Sequence, residues 1–387
     1  MKIPKPASIP LSLYIHVPWC ERKCPYCDFN SHDNLSHFNE TAYVDALLDD
    51  LDQELTFANQ RSIDSIFIGG GTPSLFSAKA YTRLLDEIGM RLDIKQAEVT
   101  LEANPGSSER DKFAGYRAAG INRLSIGTQS YDSTMLKKIG RAHNGDDALN
   151  AAQAAQQAGF DNFNLDIMFA LPEQTLEQAI ADIEIAISMQ SSHLSCYQLT
   201  LEPQTAFYKQ PPKLPDSDLA WDMQSAIQQR LQAAQFDQYE VSAYAREQQQ
   251  CQHNLNYWQF GDYLGIGAGA HGKVSLADGS VMRYWKHKQP KAYLASHVKA
   301  EANKFYGVIK PIDSQALPFE FMLNALRLKH GFAEDLFFKR TGLPIEHIHS
   351  VIAQHEQQGL IKQENKQIKP TDRGYKFIDT MLNDYLA

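Results

Sequence analysis

Three cysteines, Cys20, Cys24 and Cys27, stand within eight residues. A Cys-x3-Cys-x2-Cys loop presents three thiolates, enough to hold three irons of a [4Fe-4S] cluster and to leave the fourth iron open to an exogenous molecule. The competing arrangement is a zinc ion with His16 or His32 as fourth ligand, although this spacing is not that of a usual zinc knuckle. The remaining cysteines, Cys196 and Cys251, lie far away. Five unevenly placed cysteines in 387 residues point to metal ligation rather than a disulfide scaffold. A second feature is Gly69-Gly70-Gly71-Thr72-Pro73. It lacks the Lys and Ser/Thr of a phosphate-binding P-loop, and taken alone it is a tight strand-to-helix turn.

These loops need elements to position them. Ser12 to Val17, Ser65 to Gly70, Ala97 to Ala103, Arg123 to Thr128, Phe163 to Ala170 and His193 to Thr200 are short apolar runs of the buried-strand type. Amphipathic helices separate them. Val44, Leu47, Leu48, Leu51 and Leu55 repeat at helical spacing after the N-cap candidate Asn39, and Tyr81, Leu84, Leu85 and Ile88 do so after Ser77. Repeated βα units specify an α/β fold with right-handed crossovers, either doubly wound or a full or partial barrel. The cysteine loop follows the first strand and the glycine run ends the second.

Beyond about residue 246 the rhythm changes. Residues 1–245 read as the βα unit and 246–304 as a connecting segment holding an aromatic, Gly-rich passage. Residues 305–387 read as a small α+β, winged-helix-like domain. Lys and Arg number 37 against 46 Asp and Glu, a net charge of -9, and within 305–387 ten cations face ten anions. Phosphate neutralisation needs surplus cations, so nucleic acid is an improbable partner even for a winged-helix-like unit. No apolar run is long enough for a membrane span. The first twenty residues read as a strand, not a signal peptide, because Pro4, Pro6 and Pro10 interrupt them; the expected location is cytoplasmic.

Cys20-x3-Cys24-x2-Cys27 after one strand and Gly69 to Pro73 after the next together resemble the radical S-adenosylmethionine (SAM) superfamily. Tyr14-x-His16-x-Pro18-x-Cys20 and Tyr26 between the last two cysteines narrow the resemblance to the oxygen-independent coproporphyrinogen III dehydrogenase group. His253-Asn254-x-x-Tyr257-Trp258 resembles that group's haem-chaperone branch. The resemblance implies a partial (β/α)6 barrel carrying a [4Fe-4S] cluster and SAM. Tyr14 would pack beside the cluster and Tyr26 beside the adenine, while Gly70, Gly71, Thr72 and Glu102 would meet SAM. Gln129, Arg141 and Asp166 match positions that contact a second SAM in the dehydrogenase. Each has a plainer alternative: Gln129 satisfying backbone, Arg141 pairing with Asp146 or Asp147, Asp166 capping a helix.

Two departures separate the relatives. Phe29 stands where the dehydrogenase carries a fourth cysteine, and only 13 residues precede Tyr14 where it has a longer arm over its substrate pocket. A neutral imidazole ligates haem iron and aromatics stack on a flat macrocycle, so the resemblance makes His253 the axial-ligand candidate, with Asn254, Tyr257 and Trp258 beside it. Cys251 is either a further iron ligand or a bystander, and Cys196 a small buried apolar residue. The expected function is a chaperone that binds haem as cargo for acceptor haem proteins such as apo-cytochromes. The alternative is radical decarboxylation of coproporphyrinogen III, in which SAM cleavage supplies the hydrogen-abstracting radical.

Overall fold

The computed structural model describes residues 6–35, 38–299 and 301–386. The six apolar runs form β1 (Leu11–Val17), β2 (Ser65–Gly70), β3 (Glu98–Ala103), β4 (Arg123–Gln129), β5 (Phe163–Phe169) and β6 (His193–Gln198). They pair in parallel and in chain order. Helices connect them, among them Glu40–Ala58 and Ala78–Arg91, capped by Asn39 accepting from Ala42 N and by Ser77 accepting from Ala80 N. A cap at each start satisfies one of the orphan N–H groups of the first turn.

Alternate residues of a strand face opposite sides. Leu124, Ile126, Leu165, Ile167, Leu194 and Cys196 belong to the main core, while Arg123, Ser125, Asn164, Asp166, His193 and Ser195 line one cavity. Residues of three successive strands meet around one cavity only where the sheet curls around it. The parallel strands therefore form a partial (β/α)6 barrel with a polar interior.

Residues 246–304, read above as a connecting segment, build the sheet instead. β9 (Asp262–Ile266) lies parallel to β1, and β10 (His271–Ser275), β11 (Val281–Lys286) and β12 (Tyr306–Pro311) continue outward antiparallel. On the far side β8 (Ala243–Ala245) and β7 (Asp237–Gln238) pair beyond β6, giving one open twelve-stranded sheet. The added strands are fastened by buried charge. Lys286 Nζ sits 2.7 Å from Asp50 and 2.5 Å from Glu54 of the Glu40–Ala58 helix, and Asp262 pairs with Arg61 at 2.7 Å and Lys273 at 3.1 Å.

The C-terminal unit packs its own core around Phe321, Phe337, Ile348 and Ile352. A small antiparallel sheet in the order β13 (Phe332–Ala333), β15 (Gln367–Pro370), β14 (Ile361–Glu364) completes it. Phe260, from the turn before β9, and Val281 of β11 enter this core, and the Arg327 guanidinium lies 4.3 Å over the Trp258 ring. Among the described residues no helix is long and apolar enough to cross a membrane.

Candidate functional site

A cavity of about 400 Å³ occupies the barrel, within the usual range for small-molecule sites. Cys20, Cys24 and Cys27 lie on its wall at the C-terminal end of β1, the end at which (β/α) barrels build active sites. Their loop is pinned at its base by Cys20 N donating to His32 O (3.0 Å) and His32 N to Pro18 O (2.8 Å). All three thiols are unpaired. Burial raises the thiol pKa of Cys20 and of Cys27, partly opposed by hydrogen bonds from Thr72 and Ser31 at Cys20 and from Phe29 N and Ser31 at Cys27. Buried thiols raised in this way ionise on binding a metal, which supplies the missing positive charge.

The zinc alternative weakens at His16. Its Nε2 donates to Asn30 O at 2.8 Å and its Nδ1 accepts from the Tyr14 hydroxyl at 2.9 Å, and burial lowers its pKa to about 4. Both ring nitrogens are engaged. His32, the other fourth-ligand candidate, leaves its Nε2 without a hydrogen-bond partner, and among the described residues no three His, Cys, Asp or Glu side chains, the loop thiols included, gather closely enough to chelate one ion.

The glycine run serves the loop before it serves any ligand. A Cβ on Gly70, whose φ is +115°, would lie 2.4 Å from the His16 ring, and one on Gly71 would lie 2.4 Å from Trp19 O. Gly71 N and Thr72 N donate to Val17 O and Trp19 O, both at 2.7 Å. The turn after β2 is thus locked against the turn after β1, and only glycine fits there. Gly70 N also donates to Glu102 at 3.0 Å, and burial lifts the Glu102 carboxyl to about 7.

Arg141 ties the mouth together. It donates to Asn104 Oδ1 at 2.7 Å, to Gly127 O at 2.8 Å and to Cys24 Sγ at 3.6 Å. Among the described residues no ion pair joins Arg141 to Asp146 or Asp147: Asp147 caps its own helix with Asn144 and pairs with Arg110 at 3.8 Å. Tyr26 packs on an apolar cluster including Met135 and Met168, with the Arg141 cation near its hydroxyl. Gln129 ends β4 at φ +66° and lines the cavity. Asp166 does not cap a helix; it accepts from Asn164 at 2.7 Å and Ser125 at 3.3 Å inside the barrel. Tyr14 stands behind His16, its ring 6.4 Å from Phe67.

His253, Asn254, Tyr257 and Trp258 lie away from the thiol loop. They form the helix Gln252–Trp258, which crosses beneath the strand starts and closes the other end of the barrel. His253 is buried, its Nδ1 3.2 Å from the Ser65 hydroxyl and its ring 5.2 Å from Phe67, and burial lowers its pKa to about 3. Asn254 lines the cavity. Tyr257 and Trp258 turn toward Tyr263 and Arg327. The four residues therefore do not share one face. Cys251 is fully buried at the start of this helix, and Cys196 lies in the main core.

Sequence reasoning missed Asn104, which bridges Thr72 and Arg141, and Arg123, a buried cation on the cavity wall. An arginine at the head of an apolar strand is the one sign of Arg123 in the sequence, and it does not say what surrounds the guanidinium.

The residues fit the expected cofactors on chemistry. Three unpaired thiols, a buried carboxyl and a buried arginine whose Nε lacks a partner face one space, a donor set suited to a thiolate-held cluster and a zwitterionic ligand.

Comparison with known proteins agrees. The radical SAM superfamily profile matches residues 14–186, and that of the HemN C-terminal domain matches 312–377. Heme chaperone HemW of Escherichia coli (strain K12) is 44% identical over 379 residues, spanning 98% of each chain. That of Haemophilus influenzae (strain ATCC 51907 / DSM 11121 / KW20 / Rd) is 45% identical over 383 residues, again 98% of each, and that of Bacillus subtilis (strain 168) 33% identical over 374, covering 94% of this chain and 96% of its own. The solved coproporphyrinogen III oxidase (HemN) of Escherichia coli shares the fold, with a TM-score of 0.80 at 20% identity over 97% of this chain and 90% of its own. On its near-full-length identity to these relatives, the chain belongs to the HemW family of the radical SAM superfamily.

Proposed function

We propose that this protein is a cytoplasmic haem chaperone. It holds a [4Fe-4S] cluster on Cys20, Cys24 and Cys27, binds SAM beside it, takes haem as cargo and passes it to acceptor haem proteins such as apo-cytochromes. The relatives named heme chaperones support the general reading. The observation that carries it over decarboxylation is Phe29: its ring is 58% exposed and lines the cavity beside the thiols, where the dehydrogenase has a fourth cysteine. An exposed aromatic ring offers an apolar platform to a flat macrocycle.

When bound, the cluster supplies one-electron reduction of SAM. The chain's own residues set its surroundings. Arg141 places a fixed cation 3.6 Å from the Cys24 sulfur. Glu102, anchored by Gly70 N, presents a carboxylate to the ligand's ammonium group, with Gly71 and Thr72 shaping the turn beside it. Tyr26 flanks the adenine; Gln129, Arg141 and Asp166 line the space available to a second SAM. Tyr14 orients His16, which holds the loop through Asn30 O.

For haem, Asn254 reaches the cavity wall, and His253 on the same helix would supply an imidazole to the haem iron. Titration of the reconstituted protein with haem, followed by addition of an apo-cytochrome, tests the proposal. Saturable haem binding, weakened in His253→Ala, and transfer of the Soret band to the acceptor are expected. Undiminished affinity in that variant removes His253 from the account, and absence of haem binding removes the chaperone reading.

A further inference from the structure

The closed end of the cavity holds a cation whose donors are unused. Arg123 opens β4 at 2% exposure and lines the cavity. Its polar neighbours are bonded to one another. His193 Nδ1 meets Asn164 Oδ1 at 2.7 Å and its Nε2 meets the Tyr239 hydroxyl at 2.9 Å. Asn164 Nδ2 donates to Ser125 at 2.8 Å and to Asp166 at 2.7 Å. Arg123 takes no part in this network. Its Nε is buried without a hydrogen-bond partner. Among the described residues the one carboxylate within ion-pair range is Glu98, at 4.0 Å, and the other Glu98 oxygen already accepts from Gln252 N at 2.8 Å.

A guanidinium presents five N–H donors in a planar fork matched to a carboxylate. Leaving it buried and unbonded is costly, whereas a bidentate anion would satisfy it. Strand register gives its depth. Glu102 is level with Ser125, so Arg123 lies two residues, roughly 7 Å, further from the thiol end. A ligand group reaching it passes below the Gly70–Glu102 pair. The surroundings are neutral amide, hydroxyl and imidazole groups together with the Asp166 carboxyl, a setting for one compact anion rather than a polyanion.

We propose that Arg123 anchors a carboxylate of the bound ligand at the closed end of the barrel. The inference rests on the cavity being the haem and SAM site. A haem propionate and the methionyl carboxylate of a second SAM, one not held at the open iron of the cluster, are the two sources of that group.

The test is equilibrium binding to the anaerobically reconstituted full chain. Four probes are compared: haem, haem dimethyl ester, SAM, and decarboxylated SAM. For one acid the wild type binds more tightly than for its carboxylate-free analogue, and Arg123→Gln weakens that acid by about ten- to a hundred-fold without changing the analogue; Arg123→Lys restores part of the loss. A response to haem alone assigns the propionate, and a response to SAM alone assigns the methionyl carboxylate. Equal binding of acid and analogue by the wild type, for both ligands, overturns the proposal even where the variants do not fold. Folded Arg123→Gln with unchanged affinities overturns it as well. Wild-type protein that binds neither haem nor SAM overturns the functional reading, and the anchor with it.

Discussion

Glu102 shows how one side chain turns burial into a testable property. Its carboxyl titrates near 7 because burial disfavours the charged form. In the proposed function the Glu102 carboxylate faces the ammonium group of SAM, so affinity should fall by about tenfold per pH unit below that value, and Glu102→Gln should abolish the slope; isothermal titration between pH 5.5 and 8 measures both. In the ligand-free protein the sign reverses. A carboxyl whose folded pKa is raised contributes stability below its unfolded value and loses it as pH rises through about 7, so Glu102→Gln should gain on wild type above neutrality. The thiols give a second residue-level expectation: replacing Cys20, Cys24 or Cys27 by Ala should remove most of the cluster absorbance after reconstitution, while Cys196→Ala should leave it intact. The cysteine spacing was legible because a loop ligand set is local in sequence. Arg123 was not, because its meaning depends on which neighbours are already bonded, and those arrive from β5, β6 and the Gln252–Trp258 helix.

Elements differ in how far the chain announces them. β1 to β6 are runs of apolar residues with capped helices between them, so period and turn chemistry agree. β9 to β12 were hidden because Gly265, Gly267, Gly269 and Gly272 interrupt the apolar pattern and Asp262, Lys273 and Lys286 look like surface charges. They are buried: Lys286 meets Asp50 and Glu54 from more than 200 residues away. Tyr284 and Tyr306 donate to Glu54, and Tyr293 donates to Asp50. Such a lock is weak evidence of net stabilisation but costly to break on one side. Lys286→Met should lower unfolding stability by about 3–5 kcal/mol, measured by urea denaturation. Asp50 and Glu54, already raised by burial, would rise further without the cation. The deficit should therefore be larger at pH 8 than at pH 5.5, since stability held by a protonated carboxyl is lost as pH rises.

At the scale of the whole molecule the cavity runs between the C-terminal and N-terminal ends of the parallel strands. The thiol loop and glycine turn close one, and the Gln252–Trp258 helix closes the other, backed by the C-terminal unit through Arg327 on Trp258 and Arg340 donating to Gln259 O. This docking accounts for Trp258, whose ring meets Arg327 of the C-terminal unit while Tyr257 packs on Tyr263 of β9 and His253 on Phe67 of β2, a division that spacing in one short helix does not disclose. The equal numbers of cations and anions in residues 305–387 predict no retention on duplex DNA at physiological salt, which an electrophoretic shift assay checks. The central claim is that this radical SAM scaffold carries a tetrapyrrole instead of decarboxylating one. Anaerobically reconstituted, reduced protein supplied with SAM should bind haem stoichiometrically and yield no protoporphyrinogen from coproporphyrinogen III under the same conditions. Turnover of coproporphyrinogen III with no haem binding would contradict the account.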